Sequence, residues 1–265
     1  MKKINVIKIG GSTIKEWDKS LNQIKKIVDL GESILLVHGG GKTVSEWSSK
    51  LGIRPEFVKG LRKTDPQTLE VACAILSGLV NSKLVSKLEN IGVKAAGISG
   101  VSGKLLASKP KSKDLGLVGD IEKVNQDILS SLVESNFVPV ISPLGYNNVT
   151  NNIDSEGILN INADSVASKI AIEIKAKKVI YQTDVDGVID QNGRVIPRMT
   201  LRQSKELLNS GIITGGMIPK LQSCIDALDS GVDHGHIINA NDDSLINLFN
   251  GNKIGTHIIK ESLGK

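Results

Sequence analysis

The chain has 265 residues, of which 40% are hydrophobic and only 3% aromatic, with 33 Lys plus Arg set against 28 Asp plus Glu. That length can bury a large aliphatic core as one α/β domain or two lobes, and so few rings weigh against a protein that stacks single-stranded bases. The positive excess is scattered, and its densest run, KPKSKD at 109–114, includes a proline and an acid and reads as a solvated loop.

The first predicted element is a strand over 4–9, an apolar run interrupted by Lys8 and stopped by Gly10 and Gly11. An ammonium group at a buried strand end is costly unless it meets an anion or another partner. A helix over 16–29 follows, with Trp17, Leu21, Ile24 and Val28 on one face, then a strand over 33–37 and a helix marked by Val44, Trp47 and Leu51. Asp65-Pro66 begins a long helix, since an Asx cap followed by proline at the first helical position is a strong start signal. It runs to about Asn90, where Gly92 fits its stop. Strands are predicted at VKAAGI and FVPVIS, with hairpins between them that cover one sheet edge. The second half reads as a helix over 162–175, a strand over 178–183 and a helix capped by Thr200 and Gln203 that ends at Gly211. A helix at about 217–230, the strand GHIIN, a helix near 242–249 and a strand near 256–259 complete the pattern. Strands alternating with helices predict a mostly parallel sheet covered on both faces, with ligands at the carboxyl ends of the strands.

Cys73 and Cys224 lie far apart with no CxxC spacing, so two buried thiols in a reducing compartment are expected rather than a disulfide or zinc site. No run of apolar residues approaches membrane-spanning length, and the first residues lead into a glycine-ended strand rather than a signal-peptide core. A cytoplasmic protein with neither membrane nor nucleic-acid partner is the expectation.

Six stretches carry the chemistry. Lys8 with Gly10-Gly11-Ser12, and His38-Gly39-Gly40-Gly41, each place glycines between a strand and a helix, where backbone N–H groups can face an anion. Neither has the spacing of GxxxxGK[ST] or GxGxxG, and His38 alone reads as a strand-end hydrogen-bonding residue. In KGLRKTD, Arg62 offers a fork suited to a carboxylate or phosphate. LNINADSVA places Asn160, Asn162 and Asp164 at a helix entrance, which is more than one cap needs. YQTDVDGVID runs a strand into an acidic turn, where two carboxylates without a third ligand support no metal site. GIITGGMIPK sets Lys220 in the first turns of a helix, unfavourable there unless an anion is present.

In this order and over nearly the whole chain, KIGGS, HGGG, GLRxTD, NxNAD, TDVDGV and GGMIPK resemble the amino acid kinase family. Within it, GLRKTD and NINAD are most similar to the members that phosphorylate N-acetyl-L-glutamate. The resemblance implies an α/β, three-layer αβα sandwich of the carbamate kinase-like type with a central, mostly parallel sheet. It implies one domain over 1–265 with two lobes, about 1–175 for acylglutamate binding and dimerisation and about 176–265 for ATP. The implied reaction transfers a phosphoryl group from ATP to the side-chain carboxylate, a step of arginine biosynthesis. A kinase of carrier-protein-linked aminoadipate or glutamate is the second reading, and a non-catalytic amino-acid sensor on the same fold the third.

Carried over residue by residue, the resemblance makes Lys8 and Lys220 stabilisers of the transition state, Asp164 the residue that holds both lysines, and Gly11 with Gly40 backbone donors. Arg62, Asn160, Gly40 and Gly41 take the substrate. Gly10, Gly11, Asp184, Val185, Asp186, Gly187, Val188, Ile189, Ile212, Ile213 and Thr214 take ATP, with Mg2+ carried by phosphates and water and no metal site on the protein. Lys42 and Lys63 depart from the family pattern beside the substrate loops. Arginine-inhibited members carry an extra helix ahead of the first strand, so a homodimer without arginine feedback is expected here.

Overall fold

The computed structural model describes residues 3–10, 17–58, 60–149, 157–240 and 243–260. In chain order its elements are β1 (Asn5–Ile9), α1 (Trp17–Asp29), β2 (Ile34–His38), α2 (Gly41–Lys50), β3 (Phe57–Val58), β4 (Leu61–Arg62), α3 (Pro66–Cys73), a π-helical segment (Ala74–Val80) and α4 (Asn81–Asn90). There follow β5 (Ala95–Gly100), β6 (Leu106–Pro110), β7 (Gly119–Val124), α5 (Asp127–Glu134), β8 (Val138–Asn147), β9 (Ile158–Asn160) and α6 (Ala163–Glu173). The last are β10 (Lys178–Thr183), β11 (Arg198–Thr200), α7 (Leu201–Asn209), α8 (Met217–Asp229), β12 (His234–Asn239), α9 (Ser244–Phe249) and β13 (Thr256–Ile259).

The chain divides into two compact units, residues 1–35 with 167–265, and residues 36–166. In the first unit the strand order is β11-β13-β12-β10-β1. β1 and β12 both run parallel to β10, β11 runs parallel to β13, and β13 is antiparallel to β12. The parallel pairing of β1 with β10 is why the first 35 residues group with the C-terminal part, unlike a division by chain order near residue 175. All five residues of β1 are buried, as expected of a parallel strand covered on both faces. α1 buries Trp17, Leu21, Ile24 and Ile27, while Val28 is half-buried. Of the two polar residues buried on α1, Ser20 and Gln23, the latter accepts hydrogen bonds from the first backbone N–H groups of α9, those of Leu245 and Ile246, at 2.8 and 3.1 Å.

The second unit is centred on the ten-residue strand β8. β2, β5 and β6 pair with it in parallel and β9 antiparallel, and the expected hairpin of β6 and β7 forms one edge. Asp65 Oδ1 accepts from the Thr68 N–H at 2.7 Å and Pro66 opens the helix, as the sequence predicts. The helical run Pro66–Asn90 is 25 residues long and apolar enough to cross a membrane by length and composition alone, which corrects the expectation that no run approaches that length. Its apolar residues form one stripe: Leu69, Ala72, Leu76, Val80, Leu84 and Leu88 are each no more than 6% exposed, spaced to pack on β5 and β8. Trp47 and Leu51, expected on the inner face of α2, are exposed, and Val44 is its buried apolar residue. The short elements β3, β4, α5, β9 and β11 have no counterpart in the sequence reading.

Candidate active site

In the first unit, Lys8 is the fourth residue of β1, 5% exposed and opposite Tyr181 of β10. Its ammonium nitrogen lies over Gly10: a Cβ built there would overlap Lys8 Nζ and come within 3.4 Å of the Gln182 carbonyl. The glycine that ends β1 therefore makes room for the lysine two residues before it. β10 ends at Thr183, whose hydroxyl donates to Asp184 Oδ1 at 3.1 Å. In the acidic turn beyond it, Asp186 Oδ1 accepts from Asn239 Nδ2 at 2.7 Å and the buried Val188 N–H donates to Thr256 Oγ1 at 2.9 Å. Gly187 sits at φ 156°, and a Cβ there would press on Thr256 and Val195, so only glycine lets the turn fold against β13.

This turn forms one wall of a cavity of about 410 Å3, and the segment leading into α8 forms another. Of the residues expected at the nucleotide, Asp184, Val185, Gly187, Ile189, Ile212, Ile213 and Thr214 line it. Asp186 and Val188 are committed to the bonds just described. Gly10 lies beside Lys8 rather than in the cavity wall, and Gly11 falls outside the described residues. Thr183, Gly216, Met217 and Lys220 also line the cavity. The first three lie inside the quoted motifs TDVDGV and GGMIPK, and that membership was the available signal. Lys220 stands in the first turns of α8 and donates to the Gly216 carbonyl at 3.4 Å, which offsets part of its repulsion by the positive helix end. Apolar walls, an open helix N-terminus and a half-buried ammonium make a pocket of the size and chemistry that holds a phosphorylated, ring-bearing ligand.

In the second unit β2 ends at His38, which is fully buried. Its Nδ1 lies 2.7 Å from the Gly39 carbonyl and its Nε2 3.1 Å from Asn81 Nδ2. The carbonyl can only accept, so Nδ1 carries the proton and Nε2 accepts from Asn81. Asn81 also donates to the Val140 carbonyl at 2.9 Å, tying β2, α4 and β8 together, and His38 is thereby a structural residue. Gly40 sits at φ 155°, and a Cβ there would come within 2.7 Å of Leu76 Cδ2. The glycine loop thus lies directly on the π-helical segment.

Arg62, from β4, reaches this loop. Its Nη2 donates to the Gly41 carbonyl at 2.8 Å and to Ser45 Oγ at 2.7 Å, and the guanidinium lies over the Phe57 ring at 4.9 Å. Nη1 is buried and makes no hydrogen bond among the described residues. Burial pulls the pKa of Arg62 below its usual value, an arginine that stays cationic and makes no ion pair among the described residues. The adjoining Thr64 hydroxyl donates to the Arg62 carbonyl at 3.0 Å and accepts from Asn160 Nδ2 at 3.0 Å, linking β9 to the arginine strand.

The three Asx residues divide their work. Asn162 Oδ1 accepts from the N–H groups of Asp164 and Ser165 at 2.9 and 3.1 Å and is the cap of α6. Asn160 bonds Thr64, and Asp164 is 4% exposed in the first turn of α6, where the helix end favours a carboxylate. Of the two departures, Lys63 pairs with Glu56 of the same hairpin segment at 3.0 Å on the surface, and Lys42 is exposed on α2. Among the described residues no group of three His, Cys, Asp or Glu could hold a metal ion.

The chain matches the family model described as "Amino acid kinase family" over residues 3–239. It is 42% identical to the acetylglutamate kinase of Dehalococcoides mccartyi strain CBDB1, over 86% of this chain and 84% of that one. The acetylglutamate kinase of Methanococcus maripaludis strain C5 is 39% identical over 97% of this chain and 92% of its own. Among solved structures, a Streptococcus mutans UA159 protein superposes with a TM-score of 0.83 at 31% identity, covering 98% of this chain and all of its own.

Proposed function

The chain belongs to the amino acid kinase family, and from that premise we propose that it transfers the terminal phosphoryl group of ATP to the side-chain carboxylate of N-acetyl-L-glutamate, for arginine biosynthesis. The observation that carries the acceptor is Arg62: a half-buried, clamped guanidinium whose Nη1 makes no hydrogen bond among the described residues suits the α-carboxylate of an acyl amino acid. Asn160 and the glycine loop, Gly40 with Gly41, take the polar groups around that carboxylate. Relatives at similar identity that bear the name acetylglutamate kinase support the choice of substrate.

The donor belongs to the cavity of the first unit. Asp184, Val185, Gly187 and Ile189, with Ile212 to Thr214, receive adenine and ribose, Asp186 and Val188 shape the turn that carries them, and Lys220 with the α8 N-terminus faces the phosphates. Mg2+ travels with those phosphates, keeping most of its water. An ionised carboxylate is already a nucleophile, so the protein has charge to neutralise and atoms to position but no proton to remove. Lys8 and Lys220 supply positive charge to offset the negative charge that develops on the transferring group, and Gly11 and Gly40 supply backbone donors. A homodimer completes the proposal. Its support is the apolar surface that Trp47, Leu51, Phe57 and Val58 leave exposed in the second unit, at 37–61%.

ADP release measured with N-acetyl-L-glutamate, L-glutamate, L-aspartate and UMP as separate acceptors tests the reaction, and only the first should support turnover. Lys8→Ala and Lys220→Ala should each lower kcat by orders of magnitude while leaving the unfolding midpoint in place. Full turnover in the Lys8 variant would end the assignment. Light scattering tests the dimer, and an arginine-sensitive hexamer would refute it.

A further inference from the structure

Three of the four histidines of the chain gather in the first unit, at the end of β10 away from the nucleotide cavity. Cross-strand register explains how. Lys178 of β10 stands opposite His234 of β12, His236 stands opposite His257 of β13, and His257 stands opposite Arg198 of β11. Four adjacent strands thus lay a row of basic side chains across one end of the sheet. They line a cavity of about 340 Å3, to which the loop between α9 and β13 adds Lys253 and which no Asp or Glu lines among the described residues. Lys178 and Thr183, the two ends of β10, are about 16 Å apart at strand rise, so this cavity and the nucleotide cavity are separate.

The row is poorly served by its own surroundings. The His236 and His257 rings stack at 4.2 Å and 13°, and His257 Nε2 lies 3.1 Å from His234 Nδ1. His236 is 4% exposed, and its Nδ1 makes no hydrogen bond among the described residues. A buried nitrogen left in that state costs about 1–3 kcal/mol. The nearby acids are engaged elsewhere: Asp233 pairs with Lys3 at 2.7 Å and Glu32 with Lys177 at 3.8 Å. Lys260 adds further positive charge near Asp233. Lys178 Nζ rests 5.1 Å above the Phe249 ring of α9. From α8 the titratable neighbour is Cys224, which meets Gly235 and therefore the other face of β12. Burial, with cations on neighbouring strands, holds His236 at about 2 and His257 at about 4, so both are neutral around pH 7.

We propose that this cavity is a second ligand site of the protein, built for a small multivalent anion of the polycarboxylate or phosphate class. Arg198, Lys178 and Lys253 supply the charge, His236 and His257 supply ring N–H groups, and Pro197, Leu248 and Ile254 give the ligand an apolar wall. The anion gives Lys178, Arg198 and Lys253 a counter-charge and the buried imidazole a partner.

Calorimetric titration of the full chain with citrate and, separately, with inorganic phosphate tests this. One equivalent should bind, and the Arg198→Ser/Lys253→Ser double variant should weaken it at least about tenfold, the loss of roughly one charged hydrogen bond. Both positions are exposed, so the variant should keep the parent unfolding midpoint. Lys220→Ala separates this site from the nucleotide cavity and should leave the affinity unchanged. In protein labelled at histidine nitrogens, the His236 ring signals should move on saturation. Binding by citrate alone names a polycarboxylate, and by phosphate alone a phosphate. Binding of neither probe, binding that survives the double variant, or His236 signals that stay in place at saturation would each overturn the proposal.

Discussion

Arg62→Ala removes the charge offered to the acceptor, the two bonds from Nη2 to the Gly41 carbonyl and Ser45 Oγ, and the contact with Phe57. The bonds to Gly41 and Ser45 exist before any ligand arrives, and both residues are at least partly open to water, so their loss should cost the fold less than about 1 kcal/mol. What the acceptor loses is a charged hydrogen bond to Nη1, about 1.5–3 kcal/mol, which is a rise of roughly 10- to 150-fold in the KM for N-acetyl-L-glutamate. Arg62→Lys keeps the charge but cannot span Gly41 and Ser45 while also facing the ligand, so it should recover only part of that loss. Initial rates with each substrate varied at saturating levels of the other separate the effects. Arg62 is not the acceptor clamp if the KM for N-acetyl-L-glutamate stays put in Arg62→Ala, or if the KM for ATP rises by the same factor.

Gly10→Ala should cut turnover by about a hundredfold with an unchanged unfolding midpoint, because the new methyl displaces the flexible end of Lys8 rather than backbone, as kinetics and calorimetry on one sample would show. Asp65→Ala removes the cap of α3 and should cost about 1 kcal/mol, read as a midpoint about 2–4 °C lower, with both KM values unaffected. Acid should destabilise the chain early. The folded-state pKa of His236 is depressed to about 2, so below about pH 6.5 the unfolded chain takes up a proton that the folded chain refuses. That loss is absent near pH 7 and reaches about 2 kcal/mol at pH 5 for this one buried group, with half-buried His257 adding less. Urea titrations at pH 7 and pH 5 in a non-binding buffer should resolve it, and His236→Gln should flatten the difference. Equal stability at the two pH values would contradict the neutral, buried imidazole.

Regular elements were legible wherever a local signal was strong. The Asp65-Pro66 start and the Thr200/Gln203 capping box are satisfied by bonds within four residues, so sequence alone implies them. β3 and β4 pair with each other but are two residues long each, too short to show any period; β9 and β11, three residues each, owe their pairing to β8 and β13, which no local periodicity can announce. The same contrast holds at the site. Arg62 was recognisable as a carboxylate partner, but its clamp by Ser45 rests on the hairpin turning back to α2, a contact between residues 17 positions apart. The histidine row was invisible for the same reason, since His236 and His257 meet only through the antiparallel register of β12 and β13.

The chemistry follows from what the second substrate is. An alcohol acceptor needs a base to take its proton, whereas a side-chain carboxylate is ionised at neutral pH and brings the opposite problem, two anions that must approach each other. A pair of unit charges 4 Å apart repels by about 4 kcal/mol at a protein-like dielectric, a barrier of about a thousandfold if left uncompensated. The conspicuous side chains of the two units answer that problem. His38, the obvious candidate base, has both ring nitrogens engaged in holding β2, while Lys220 faces the donor cavity and Arg62 keeps one guanidinium nitrogen unbonded. In the proposed reaction Lys8, buried at a strand end, would act with them. A phosphate bound there would stabilise its charge further, and Gly10 is the residue whose missing side chain leaves it room.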